Sequence, residues 1–306
     1  VTGAIITGGT GMLAMALERL LASEGVAVTL LVRPNSPRLE QLCPSPSTKI
    51  VPCALAEFHT LQAGYLSPCD ALFHFGWAGT FGPGRDNTTL QSDNIRHTLD
   101  AADLAARLGC GVFVGAGSQA EYGPADGVLT ETTPCRPESG YGIAKLAAGG
   151  LSRTACKQHG VRHIWARLLS AYGPGDNPGT MMMSCIRSLL SNERMSFTAG
   201  EQCWDYLYSG DAARALYLLA LHGRDGTVYP LASGQPRFLR DYILAARDVL
   251  RPGMALGLGE LPYPAGQPMR LEADISALLR DTGFRPAVSF EEGVKLTAEW
   301  AAGREV

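Results

Sequence analysis

The feature that most constrains this chain is its opening, VTGAIITGGTGMLAMALERLLAS, where an apolar run, a glycine-rich turn and an apolar-periodic stretch follow one another directly. Ala4 to Thr7 reads as a short buried strand, and Met12 to Ser23 has helical spacing. Between them, TGGTGMLA sets Gly8, Gly11 and Ala14 in a G-x-x-G-x-x-A arrangement. Small residues there let the turn tighten, let backbone approach a pyrophosphate, and let the helix pack on the strand. Met12 and Leu13 then offer free N–H groups and the positive end of the helix dipole to phosphate. Strand, turn and helix in this order predict a dinucleotide site.

The rest of the first two thirds repeats the alternation. Val26 to Val32, Ile50 to Cys53, Ala71 to Phe75, Val112 to Ala116 and Ile164 to Leu168 read as further buried strands, with helices clearest at Asn94 to Leu108 and Gly142 to Gln158. This spacing predicts an α/β fold with a doubly wound parallel sheet of the Rossmann type. After Leu168 the pattern changes to loop chemistry, SAYGPGDNPGT, then a Met-rich helix from Met181 to Ser191. A helix from Ser209 to His222, a strand near Val228 to Leu231, a Pro/Gly-rich tract from Arg251 to Pro268, and helices at Ile275 to Thr282 and Phe290 to Ala301 complete the reading. Residues 1–168 and about 203–232 are expected to form the dinucleotide-binding domain. Residues about 169–202 and 233–306 form a smaller, partly discontinuous substrate-binding lobe over its carboxyl edge.

Composition narrows the function classes. With a net charge of -3 the chain carries no basic footprint for nucleic acid. No apolar run is long enough to span a bilayer, and the N-terminus shows no basic leader, so a cytoplasmic protein without a membrane partner is expected. The 8 cysteines are scattered without metal-ligand spacing, which predicts reduced thiols and no zinc or other metal site.

The end of the second strand bears on the cofactor. An acid there holds the adenosine ribose 2′-OH, whereas an arginine accommodates a 2′-phosphate. This chain has Leu31-Val32-Arg33-Pro34 and then Asn35-Ser36, with no acid, so NADP is favoured and NAD remains the alternative.

The chemical signal is Tyr141-Gly142-Ile143-Ala144-Lys145 at the start of a helix, 23 residues after Ser118. Residues four apart share a helical face, so the lysine can approach whatever the phenol faces. Lowering a phenol from about 10 to about 7 takes roughly 4 kcal/mol. A cation at ~4 Å is worth about that much at an effective dielectric of 20.

With these residues the chain resembles the extended short-chain dehydrogenase/reductase family, in its nucleotide-sugar epimerase, dehydratase and reductase branch. The likeness runs over nearly the whole length. It includes Asp70-Ala71-Leu72-Phe73-His74-Phe75-Gly76-Trp77, Asn94-Ile95-Arg96-His97-Thr98, Arg167 to Gly175, and Trp204-Asp205-Tyr206-Leu207-Tyr208-Ser209-Gly210-Asp211. The resemblance implies that Ser118 bonds the reacting oxygen, Tyr141 is the acid/base, and Lys145 holds the nicotinamide ribose and tunes Tyr141. It places Phe75, Gly76, Trp77 and Asn94 at the cofactor and Gln119, Ser170, Trp204 and Arg270 on the substrate side, while Glu121 either meets the substrate there or caps the loop. A nucleotide-sugar substrate and a homodimer built on the helices Asn94 to Leu108 and Gly142 to Gln158 follow from the same resemblance. Ser170 stands where the family commonly has Asn, and Trp204 where it commonly has Arg.

The family's 4,6-dehydratases carry Thr-Asp-Glu where this chain has Ser118-Gln119-Ala120. Neither glutamine nor alanine exchanges a proton at physiological pH, so water elimination is not expected. The reading is an NADP-dependent reductase of a nucleoside-diphosphate 4-keto-6-deoxy sugar, with an NAD-dependent 4-epimerase as the alternative. A non-catalytic NADP-binding sensor is more distant, because both Tyr141 and Lys145 are kept.

Overall fold

The structure is a computed structural model that describes residues 1–303 apart from 63, 65, 67 and 265. Residues 304–306 of the expected second lobe lie outside the described residues. The chain lays down β1 (Gly3–Thr7), α1 (Met12–Ser23), β2 (Ala27–Val32), β3 (Lys49–Pro52) and β4 (Ala71–His74). Then come α2 (Thr88–Arg107), β5 (Val112–Ser118), α3 (Gly140–His159) and β6 (Arg162–Leu168). Past β6 lie β7 (Ser170–Tyr172), α4 (Met181–Leu190), β8 (Cys203–Trp204) and β9 (Tyr206–Tyr208). Helix α5 (Ser209–His222) leads to β10 (Thr227–Leu231), which pairs in parallel with β6. The large sheet is entirely parallel, in the order β10-β6-β5-β4-β1-β2-β3, as the alternating sequence pattern predicts.

Both faces of this sheet are covered, which is why its strands read as unbroken apolar runs. Ile5 and Ile6 are both fully buried yet belong to different cores, because successive side chains leave a strand on opposite faces. Ile6 packs with Leu17 of α1 and Leu216 of α5, and Ile5 with Leu104 of α2 and Cys156 of α3. The strand order reverses at β1, whose neighbours are β2 and β4, so a crevice opens at the carboxyl edge there. Beside it β5 outruns β4: His74 pairs with Gly115, whereas Ala116, Gly117 and Ser118 pair with β6 alone. The tip carrying Ser118 therefore projects over that edge.

Smaller ladders follow. β7 pairs with β9, and β8 lies between β11 (Arg237–Phe238) and β12 (Arg270–Leu271). Helices α6 (Leu239–Leu250), α7 (Ser276–Thr282) and α8 (Phe290–Ala301) complete the fold, with α4, α6 and α8 sharing an apolar cluster around Tyr172, Tyr242 and Phe290. Two helices differ from the sequence reading. α2 starts at Thr88 rather than Asn94, because the Asn87 side chain accepts from Leu90 N at 3.1 Å and starts the helix in a stretch of weak helix formers. α6 went unassigned, although its buried Tyr242, Ile243 and Ala246 have helical spacing. Among the described residues no helix is long and apolar enough to cross a membrane.

The glycines of β5 have a steric cause. Trp165 of β6 is 2% exposed and lies where side chains at Gly115, Gly117 and Gly149 would otherwise be. A Cβ at Gly115 would lie 2.3 Å from Trp165 Cε3, one at Gly117 2.4 Å from Nε1, and one at Gly149 2.7 Å from Cε2. The indole is thereby free to reach the loop after β5, which bears on the site below. Gly149→Ala should cost about 1–3 kcal/mol by overpacking, read as a lower urea midpoint with an unchanged slope. A wild-type midpoint would show that Trp165 has room to move.

Candidate active site

The glycine turn and the end of β4 build one wall. Gly8 has φ +69°, and a Cβ on it would lie 2.8 Å from Gly76 N, so two chain segments meet there backbone to backbone. Thr7 Oγ1 accepts from Phe75 N at 3.1 Å and Gly76 N at 3.0 Å, and is 2.9 Å from His74 Nδ1. His74 is a structural group: its Nε2 faces Thr98 Oγ1 at 3.2 Å, and burial pushes its pKa down to about 3. Asn94 does not reach outward. Its Oδ1 accepts from Ala78 N at 2.9 Å and its Nδ2 donates to Ala78 O at 2.8 Å, so it fixes the loop carrying Trp77.

The residues present fit a dinucleotide phosphate. The N-cap of α1 is Gly11, which has no side chain to cap the first-turn N–H groups of Met12 and Leu13. At the end of β2, Arg33 is exposed and its side chain makes no ion pair or hydrogen bond among the described residues. Behind it Ser36 is buried against Thr10, the two hydroxyls 3.1 Å apart, and Arg38 donates to Gly175 O at 3.2 Å.

The opposite wall is β5 and α3. Ser139 caps α3 by accepting from Gly142 N at 3.1 Å, which sets Tyr141 and Lys145 on the buried face. Ser118, at the tip of β5, lies near the Tyr141 phenol and pulls its pKa down, but burial is the larger influence and the phenol sits above its ordinary value. Lys145 is 4% exposed, and burial pushes its pKa down to about 7. Its Nζ donates to Ala116 O at 2.7 Å and lies 3.7 Å above the Trp77 ring, but 5.9 Å from the centroid of Tyr141. The ammonium thus faces an indole and a strand carbonyl, and the strong pull on the phenol that the helical spacing predicts is absent in this arrangement. Trp77 itself stands perpendicular to Tyr141 at 6.0 Å between centroids and donates from Nε1 to Gln91 Oε1 at 2.9 Å.

Glu121 requires a correction. Of its two expected roles the substrate contact does not hold: it is fully buried behind β5 and caps the turn after Ser118. One carboxylate oxygen accepts from Ser118 N at 2.8 Å and Trp165 Nε1 at 2.9 Å, and the other from Arg167 Nε at 2.6 Å. A carboxylate so satisfied has no free lone pair aimed at a substrate; it holds the backbone of Ser118. Gln119 remains half-buried in the short turn after Ser118. Ser170, Trp204 and Arg270 are brought into one neighbourhood. Trp204 Nε1 donates to Ser170 Oγ at 2.8 Å, Trp204 pairs with Leu271, and exposed Arg270 is 3.2 Å from Glu272. Sequence reasoning missed Trp165, as a partner of Glu121, and Arg85, whose guanidinium carbon lies 4.4 Å from the centroid of the Tyr141 ring. Among the described residues no cluster of three His, Cys, Asp or Glu could hold a metal.

A buried lysine with a depressed pKa opposes folding, and the sign follows from proton linkage. The unfolded lysine titrates near 10.5 and the folded one near 7, so the native state binds fewer protons between those values. The cost is absent above the unfolded pKa, grows as pH falls towards 7, and is constant below it. Lys145→Met should therefore raise stability by about 1–3 kcal/mol at neutral pH and less near pH 10. Urea unfolding at several pH values would show this, and a variant less stable than wild type at pH 7 would contradict it.

Comparison with known proteins places this geometry in context. The family model described as the NAD dependent epimerase/dehydratase family matches residues 4–232. The dTDP-glucose 4,6-dehydratase of Shigella flexneri is 28% identical over 180 residues, covering 56% of this chain and 50% of the relative. That of Streptomyces griseus is 26% identical over 220 residues, covering 70% of this chain and 66% of the relative. The chain spans about half the length of the first of these curated relatives. Among solved structures, the UDP-glucose 4-epimerase of Thermotoga maritima with UDP-glucose superposes with a TM-score of 0.86 at 21% identity, over 98% of this chain and 99% of that one. A dTDP-glucose 4,6-dehydratase of Streptomyces venezuelae with NAD bound superposes with a TM-score of 0.84 at 22% identity, over 98% of this chain and 96% of that one. At such identities the structural likeness is one of fold.

Proposed function

Because the chain belongs to the NAD-dependent epimerase/dehydratase family, we propose that it is an NADP-dependent reductase of a nucleoside-diphosphate 4-keto-6-deoxy sugar. The observation that carries the reading is Arg33, exposed and unpaired at the end of β2, where an acid would instead hold a ribose 2′-OH. Gln119 and Ala120 support it by offering no proton exchange beside Ser118, although the sequence relatives are dehydratases.

Gly8, Gly11, Met12 and Leu13 would hold the pyrophosphate, Arg33 the 2′-phosphate, and Lys145 the nicotinamide ribose. The cofactor, when bound, supplies a hydride to the carbonyl carbon. Ser118 polarises the carbonyl by donating its hydroxyl proton into a hydrogen bond, and Tyr141 gives its proton to the oxygen, which makes the carbinol and leaves a phenolate. A phenol held above its ordinary pKa stays protonated through neutral pH, which suits an acid rather than a base. Ser170, Trp204 and Arg270 would meet the nucleotide sugar, with Trp204 offering an aromatic face and Arg270 a cation for the diphosphate. The scattered cysteines and this cofactor suit a cytoplasmic location.

Purified protein should oxidise NADPH with at least one nucleoside-diphosphate 4-keto-6-deoxy sugar, and Tyr141→Phe should lower kcat by about 10²–10⁴. An inert NADPH together with interconversion of 4-epimers would replace this reading by the epimerase. The same proposal includes a homodimer through α2 and α3. On α3, Ile143 is 52% and Leu151 48% exposed, an apolar pair two turns apart on one face. Light scattering should give a dimer for the wild type and a monomer for Ile143→Glu with Leu151→Glu; a monomeric wild type would exclude it.

A further inference from the structure

The loop between β4 and α2 is fastened at both ends of the catalytic wall. Gln91 Nε2 donates to Gly79 O at 3.0 Å and Gly84 O at 2.8 Å, which ties the loop to α2. Asp86 Oδ1 accepts from Gly140 N at 2.9 Å, which ties it to the first turn of α3. A Cβ on Gly140 would stand 3.0 Å from Arg85 O, so loop backbone rests directly on the start of the catalytic helix. So anchored, Arg85 places its guanidinium carbon 4.4 Å from the centroid of the Tyr141 ring. Its Nη1 donates to Thr80 O at 3.0 Å, and no carboxylate among the described residues lies within ion-pair distance of it.

We propose that Arg85 is a positioning residue for the reaction: laid on the face of Tyr141, its guanidinium fixes the plane of the ring and favours the phenolate over the phenol. A cation over an aromatic face is attracted more strongly as the ring gains electron density, which a phenol does on losing its proton. The other groups facing Tyr141 do not duplicate this. Lys145, on the same helix, is directed at Ala116 O and Trp77, and Ser118, from β5, is neutral. Glu121, behind β5, opposes ionisation and has its own cation in Arg167, while the Trp77 ring, perpendicular to Tyr141, is neutral. The inference rests on Tyr141 as the proton donor of the proposed function. In that role the phenol ends as a phenolate, and a cation on its face assists the transfer.

The test reads Tyr141 directly and needs no substrate. The full chain labelled at tyrosine Cζ with ¹³C would be titrated by NMR, with the Tyr141 resonance identified by its loss in Tyr141→Phe. Arg85→Gln should move the Tyr141 midpoint up by about one pH unit, and Arg85→Lys, which keeps the charge, should restore most of it. Coincident midpoints in wild type and Arg85→Gln, or Tyr141 resonances equally un-ionised in both up to the pH of unfolding, would overturn the proposal. With a turned-over substrate, Arg85→Gln should lower kcat about tenfold or more with the KM for NADPH unchanged. A kcat loss without the titration shift would mark a merely structural residue and also overturn it. Failure to find any nucleotide-sugar substrate leaves the NMR result standing, so the two claims fail separately.

Discussion

The structure around the candidate site depends on one buried ion pair, Glu121 with Arg167. Their side chains are 0% and 6% exposed, and Arg167 also lies over the Tyr122 ring at 4.7 Å. Sealing two charges from water is costly unless every lone pair is satisfied, and removing one partner typically costs about 3–5 kcal/mol. Here the carboxylate is satisfied by Ser118 N, Trp165 Nε1 and Arg167 Nε, which come from β5 and β6. The pair demands Trp165, Trp165 demands glycine at 115, 117 and 149, and the small β5 then lets its tip reach the crevice. The geometry of Ser118 is set by what lies behind it.

The front of the site works against stability. Lys145 has almost no exposure, and its charge is held in place by an indole face and one strand carbonyl. Tyr141 is likewise held in its neutral form by burial. These are costs a core would not retain for packing alone, and they coincide with the two residues that the proposed chemistry needs.

Much of the fold was legible because it rests on local periodicity and steric rules. The glycine turn, the alternating strands and α1 follow from short stretches of adjacent residues, and so does the Tyr141–Lys145 spacing. What was hidden depends on contacts distant in sequence. From its place after a strand Glu121 reads equally as a substrate group or a loop cap; its burial, which decides for the cap, is set by Arg167, 46 residues on. Lys145 shares a helix face with Tyr141 as expected, but its direction is decided by Trp77 and Ala116, which spacing on one helix does not encode. Arg85 belongs to no motif, and its place on Tyr141 comes from Asp86 and Gln91 anchoring the loop. The paired β7–β9 and β8–β11–β12 strands are two or three residues long, too short to show a period.

The central claim is that this crevice takes a 2′-phosphorylated cofactor and uses it as a consumed reductant. Calorimetric titration of NADPH and NADH against wild type and Arg33→Ala measures it most directly. NADPH should bind the wild type tighter than NADH by about tenfold or more, with the difference largely lost in Arg33→Ala through weaker NADPH binding alone. Equal or tighter binding of NADH by the wild type, or an Arg33→Ala variant that keeps the preference, would contradict it.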